Sequence, residues 1–275
     1  MIICDGVTKR YGTTTVVDDV RLLIQTGGLT SIIGPNGAGK STLLSMMARL
    51  LTMDGGRVSV DGLDVAATDS AVLARRLAIL RQDNHLDIRL TVRDLVAFGR
   101  YPHSKGRPTI EDRVHVDRAL DYMDMGHLAG RFLDELSGGQ RQRAFVAMTL
   151  AQDTEYILLD EPLNNLDMPH GVAMMSVLQR AAKELGKTVV VVIHDINFAS
   201  AYSDRIIAMR EGRVIEQGTP AEIVTPPVMQ EVYGLTVDVV EHGGHPFALY
   251  FHASAVRPTD EAEAAPGGQE AGRVR

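Results

Sequence analysis

Apolar residues along the chain fall in short continuous runs separated by longer stretches of helical period. Leu29-Thr30-Ser31-Ile32-Ile33, Leu77 to Leu80, Tyr156 to Leu159 and Thr188 to Ile193 read as strands, the last two continuous enough to be buried on both faces. Gly56 to Val60 is a further strand candidate. Ser41 to Leu51 reads as a helix, as does Pro169 to Leu185, with Pro in its first turn and Gly186 just past its end. Strands alternating with helices predict an α/β fold around a mostly parallel central sheet.

Between Arg81 and Tyr156 the strand pattern stops. Val92 to Phe98, Glu111 to Met123 and Gln140 to Leu150 have helical spacing, and Tyr101 to Pro108, with two prolines and a glycine, is expected to be a loop. This predicts a helical subdomain, about residues 83–155, inserted into the α/β core. Further on, Arg205 to Met209 and Arg213 to Glu216 form a hairpin around Glu211-Gly212. Thr219-Pro220-Ala221-Glu222 carries helix-start chemistry, and Val237 to Val240 with Phe247 to Phe251 suggests a last hairpin around Gly243-Gly244. From Arg257 the sequence loses all periodicity, so residues 1–252 are expected to form the folded unit and 253–275 a disordered tail.

Composition narrows the class. The chain has 275 residues, 45% of them hydrophobic and 23% charged, enough apolar material for a sizeable core. A net charge of −7 argues against a nucleic-acid partner and against direct attraction to anionic lipid. Cys4 is the sole cysteine, so no intrachain disulfide is possible, which fits a reducing compartment. The start lacks the pattern of a signal peptide, and no apolar run approaches the roughly 20 residues needed to span a bilayer. Any membrane-spanning partner is expected to be another chain.

Gly34-Pro35-Asn36-Gly37-Ala38-Gly39-Lys40-Ser41-Thr42 follows the strand ending at Ile33 and opens a helix. Two glycines spaced by four residues before Lys-Ser form a phosphate-binding loop. Glycine lets backbone N–H groups turn inward around phosphate oxygens, and the helix N-terminus adds positive potential. Lys40 is then placed to reach the β- and γ-phosphates of ATP, and Ser41 to ligate Mg2+. The strand Tyr156 to Leu159 ends in Asp160-Glu161. Strand ends of a parallel sheet converge on such a loop, so Asp160 is expected to hold Mg2+ and Glu161 to activate water as general base.

Leu136-Ser137-Gly138-Gly139-Gln140 precedes another helix. Ser137 and Gln140 make a capping box, and adjacent glycines at a helix start also expose N–H groups to an outside anion. The second reading implies two copies pairing, each nucleotide held by the loop of one chain and the helix end of the other.

Taken together these motifs resemble the ABC-type ATPases over about residues 1–252, with Leu136 to Gln140 as that superfamily's signature. The resemblance implies a P-loop NTPase core with an antiparallel β part and an inserted helical subdomain. Gln82 matches the glutamine that senses Mg2+ and water and relays to the membrane subunit, and His194 the switch histidine that contacts the γ-phosphate and steadies Glu161. Tyr11 matches the aromatic stacked on adenine, and Asp167, in Asn165-Leu166-Asp167, the acidic residue of the loop after the catalytic glutamate. Ser137 and Gly139 would bind the γ-phosphate on the opposing copy.

Segments from Gln82 to Arg100, from Pro162 to Met168 and from His194 to Ala199 resemble ATPase subunits of ferric-siderophore importers. Haem and cobalamin importers are near relatives. This implies integral-membrane permease subunits as partners, a second copy in an ATP-sandwich dimer, a substrate-binding protein acting indirectly, and a position on the cytoplasmic face of the membrane. ABC ATPases of DNA repair and of ribosomes are disfavoured, because no long coiled coil separates Lys40 from Leu136 and the chain carries a single ATPase unit.

Overall fold

The computed structural model describes residues 1–82, 88–164 and 166–250. Two long strands open the chain, β1 (Ile2–Tyr11) and β2 (Thr14–Ile24), followed by β3 (Gly28–Ile33) and α1 (Lys40–Met47). Next come β4 (Gly55–Val60), β5 (Leu63–Asp64), α2 (Ser70–Ala74) and β6 (Leu77–Leu80). A helical stretch holds α3 (Val92–Phe98), α4 (Tyr101–Ser104), α5 (Ile110–Tyr122) and α6 (Gly138–Ala151). The core resumes with β7 (Tyr156–Asp160), α7 (Met168–Glu184), β8 (Thr188–Val192), α8 (Ile196–Tyr202), β9 (Arg205–Arg210) and β10 (Arg213–Gly218). The last elements are α9 (Pro220–Ile223), α10 (Pro226–Tyr233), β11 (Asp238–His242) and β12 (His245–Leu249).

The main sheet has the order β10-β9-β3-β8-β7-β6, parallel except for the β9–β10 hairpin. Its registers align the strand ends: Ile32 pairs with Val192, Val192 with Asp160, and Leu159 with Leu80. The turns after β3, β8, β7 and β6 therefore emerge along one edge. Alternate side chains serve opposite faces, as a pleated strand requires. Ile32, Leu158 and Val190 pack with Leu43 and Met47 of α1 and with the antiparallel sheet β2-β1-β4-β5. Ile33, Leu159 and Val191 pack with Leu95, Leu120 and Phe145 of the helical stretch and with Leu178 of α7.

The helical stretch is tied together by a buried ion pair. Arg100 Nε donates to Asp112 Oδ1 at 2.9 Å, with both side chains 5% exposed, and Arg100 Nη1 donates to the Ala151 carbonyl at 2.9 Å. Thr109 caps α5 by accepting from the Asp112 N–H, while the Thr109 N–H donates back to the Asp112 carboxylate. That backbone N–H, with the Arg100 guanidinium, holds the Asp112 carboxyl at about 2 despite burial. Gly99 lets α3 approach α6, since a Cβ there would lie 2.1 Å from the Met148 carbonyl oxygen. Gln152, just past α6, donates to the carbonyls of Ala74 and Leu77 at 2.6 and 3.3 Å, joining the helices to the core.

Several expectations change. Tyr101 to Pro108 is not all loop, because Tyr101–Ser104 forms one helical turn with Pro102 in the first turn, where proline is tolerated, before Lys105 leaves it with positive φ. Periodicity gave no sign of β1 and β2. The helix start at Thr219 opens the short α9, and α10 follows unforeseen. The last hairpin is displaced by one to two residues, and its Phe251 end, like the expected tail and residue 83 at the subdomain boundary, lies outside the described residues. Among the described residues no helix is long and apolar enough to cross a membrane.

Candidate active site

The turn after β3 is shaped by glycines that no other residue replaces. Gly34 has φ 146, and a Cβ on it would sit 2.1 Å from the Met209 carbonyl oxygen. Gly39 has φ 91, and a Cβ there would sit 2.5 Å from the Val16 carbonyl oxygen, where the β1–β2 hairpin borders the loop. Gly37 also has positive φ. Pro35, Asn36 and Ala38 complete the turn, tightened by the Ala38 N–H donating to the Pro35 carbonyl at 3.2 Å. Lys40, Ser41 and Thr42 then begin α1, with Lys40 buried at 4% exposure.

Lys40 Nζ donates to the Gly34 and Pro35 carbonyls at 2.8 and 2.9 Å. Burial lowers its pKa, and the Glu161 and Asp160 carboxylates oppose that shift. Ser41 Oγ donates to Asp160 Oδ1 at 2.7 Å, joining the loop to the end of β7. Burial raises the Asp160 pKa, opposed by the Ser41 bond.

Glu161 turns sharply off β7 with φ 50, its N–H donating to the Val192 carbonyl at 3.1 Å. Its carboxylate is gripped from three directions. His194 Nε2 lies 2.7 Å from Oε1, Gln82 Nε2 donates to Oε2 at 2.7 Å, and Asn164 Nδ2 also donates to Oε2. The structure thus brings Lys40, Ser41, Gln82, Asp160, Glu161 and His194 together at neighbouring strand ends.

Sequence reasoning assigned Asn164 no role. Its signal was available as an amide three residues after the glutamate, the spacing at which a side chain in a tight turn reaches back. Asp195 was likewise passed over. It caps α8, accepting from the N–H groups of Asn197 and Phe198 at 2.7 and 3.0 Å, and so fixes the helix immediately after His194.

The other expected residues share none of these hydrogen bonds, although Asp167 lines a pocket with Glu161 and His194. Ser137 Oγ accepts from the Gln140 N–H at 3.3 Å and Gln140 Oε1 accepts from the Ser137 N–H at 3.0 Å, so the capping box is formed. Gly138 opens α6, and a Cβ on Gly139 would lie 3.2 Å from Leu166, which sets the signature helix against the chain after Glu161. Asp167 caps α7, accepting from the His170 N–H at 3.1 Å and bonding the His170 ring. The backbone bond lowers its pKa most. Asn165 lies outside the described residues. Tyr11 ends β1 with 53% exposure, and Lys9 Nζ lies over its ring, 5.7 Å from the centroid.

The geometry fits ATP with Mg2+. The loop is a cradle of N–H groups in which any Cβ at Gly34 or Gly39 would clash, and Ser41 with Asp160 is a hard-oxygen donor pair. No group of three or more His, Cys, Asp or Glu suited to a metal occurs among the described residues.

The chain is similar to several known proteins. A family model described as ABC transporter matches residues 17–164. The petrobactin import ATP-binding protein YclP of Bacillus subtilis (strain 168) is 51% identical over 251 residues, covering 91% of this chain and 100% of that one. The ferric enterobactin transport ATP-binding protein FepC of Escherichia coli (strain K12) is 42% identical over 239 residues, covering 86% and 88%. Among solved structures, the dimeric bacterial ABC transporter cassette MJ0796 matches with a TM-score of 0.72 and 32% identity, covering 80% of this chain and 98% of that one.

Proposed function

The chain belongs to the ABC transporter family, and from that premise we propose that this ATPase powers import of an iron–siderophore complex through separate membrane permease subunits. The observation that carries the substrate class is the 51% identity to a petrobactin import ATP-binding protein along that protein's whole length. The subunit itself does not touch the cargo, so its site chemistry is that of ATP alone.

In this reading Lys40 exchanges the Gly34 and Pro35 carbonyls for the β- and γ-phosphates, and Tyr11 stacks on adenine. Ser41, Asp160 and Gln82 would hold Mg2+, which when bound would supply positive charge against the phosphates. Glu161 accepts the proton of the attacking water as the water's oxygen bonds to the γ-phosphorus and the bond to ADP breaks. His194, Gln82 and Asn164 keep the carboxylate from turning away. Ser137 and Gln140 bond one another at the start of α6 and take no part in the bonds that join Ser41, Asp160 and Glu161. Their place at a helix start supports a head-to-tail dimer in which each signature completes the partner's site, and the dimeric cassette among the structural relatives supports the same arrangement.

Closure of the dimer would move permeases docked near Gln82 and the helical subdomain, on the cytoplasmic face of the membrane. The substrate-binding protein would deliver cargo from the other side without contacting this chain. The test is uptake of labelled ferric siderophores by iron-starved source cells carrying either native protein or Lys40→Ala. Loss of uptake in the variant is the expected result. Unchanged uptake, with purified native protein still hydrolysing ATP, would remove the siderophore assignment and make haem or cobalamin the next cargo to assay.

A further inference from the structure

A cleft of about 590 Å3 opens at the junction of the helical subdomain and the core, away from every residue placed in the nucleotide site. On one side it is walled by His115, Arg118 and Tyr122 of α5; on the other by Arg180 of α7, Leu185 at its end, and Lys187 before β8. Lys187 and Asp153 precede β8 and β7, whereas His194 and Asp160-Glu161 lie at the opposite ends of those strands. The cleft therefore faces the back of the sheet, about a strand's length of 16 Å from the catalytic carboxylate.

Its chemistry is specific enough to name a ligand class. Leu150, Ala119, Leu185 and the Tyr122 ring supply apolar wall, and Leu185 is 48% exposed. The Arg180 guanidinium lies over the Tyr122 ring, 5.0 Å from its centroid, forming a flat cationic platform. Lys187 is held by Asp153 at 2.7 Å, and Arg180 by Glu184 at 3.4 Å. Arg118 makes no hydrogen bond or ion pair among the described residues, leaving its five donors available. A volume of this size suits a small organic molecule, a planar platform suits an aromatic body, and an unpaired guanidinium suits a carboxylate, sulfonate or phosphate.

We infer that this cleft binds a small aromatic anion, and that the bound anion, touching α5 on one side and α7 on the other, slows ATP turnover by tying the helical subdomain to the core. The second half rests on the ATPase reading; the binding does not. Any ligand that prefers one relation of the two subdomains shifts the population towards it by its difference in affinity.

The probe is 8-anilinonaphthalene-1-sulfonate, an aromatic anion whose fluorescence rises in apolar surroundings. Titrated into the full chain without nucleotide, it is expected to show one saturable class of sites. Arg118→Glu and Leu185→Glu, both at surface positions, should each weaken binding about tenfold or more while leaving the melting temperature near native. At saturation the probe should lower kcat for ATP in native protein and leave kcat of Arg118→Glu unchanged. Native affinity in both variants, or no saturable binding, would overturn the site, whatever the fate of the ATPase reading. Equal inhibition of native and variant protein would overturn the link to turnover.

Discussion

His194 Nε2 lies 2.7 Å from Glu161 Oε1, joining residues that follow neighbouring strands of the main sheet. The contact fixes one carboxylate oxygen while Gln82 and Asn164 hold the other. A carboxylate held on both oxygens has its orientation set, so under the proposed role as base, removing it and loosening its mounts should have separable effects.

Glu161→Gln keeps the size and the hydrogen-bonding frame but cannot accept a proton. Its kcat should fall about 10²–10⁴-fold with ATP affinity close to native. ATP should also drive this variant into a dimer. A variant that stays monomeric with ATP on a sizing column would remove the sandwich arrangement for the isolated subunit.

Asn164→Ala should lower kcat less than His194→Ala does, because it releases one of two bonds to Oε2 and leaves Gln82 in place. The expectation is a loss of about one hydrogen bond, roughly 0.5–1.5 kcal/mol in activation free energy, with KM for ATP unchanged. Steady-state kinetics on both variants checks the order.

Gly34→Ala should cost both folding and nucleotide affinity. The added Cβ meets the Met209 carbonyl at 2.1 Å, and φ 146 is a conformation that alanine adopts only under strain. A melting shift corresponding to about 1–3 kcal/mol is expected, together with lost ATP binding by calorimetry.

Asp112 predicts an acid limb in stability. Its carboxyl is held at about 2 in the fold against an ordinary value of 3.8, so it binds its proton later in the native state than in the unfolded one. The stabilisation is complete above about pH 4 and is lost as pH falls towards 2, an effect of about 2 kcal/mol. Asp112→Asn should flatten denaturant-unfolding stability across that window, and Asp112→Ala, which strands Arg100 in the interior, should cost about 3–5 kcal/mol at neutral pH.

The sequence disclosed the site far better than it disclosed the periphery. Lys40 and Ser41 were legible because phosphate chemistry demands particular residue types at fixed spacing after a buried strand, whereas Asp160 and Glu161 gained weight only within the whole constellation. Gln82 and His194 became legible only through resemblance, since an isolated glutamine or histidine carries no period. β1 escaped notice because a bulge between Cys4 and Val7 breaks its alternation. Asn164 escaped because its role lies in a side-chain bond to Glu161, which neither hydropathy nor propensity records.

The order β3-β8-β7-β6 has a consequence for how this protein comes into being during synthesis. The phosphate loop is made early, yet the strands that seat Glu161 and His194 beside it belong to the second half of the chain. Parallel neighbours so distant in sequence pair late, after the entropy of closing long loops has been overcome. A nascent chain could thus display its glycine loop long before it owned a base or a switch, and hydrolysis would begin only when the sheet had closed. Onset of ATP turnover in a refolding experiment should accordingly trail the recovery of helical signal, marking completion of the sheet.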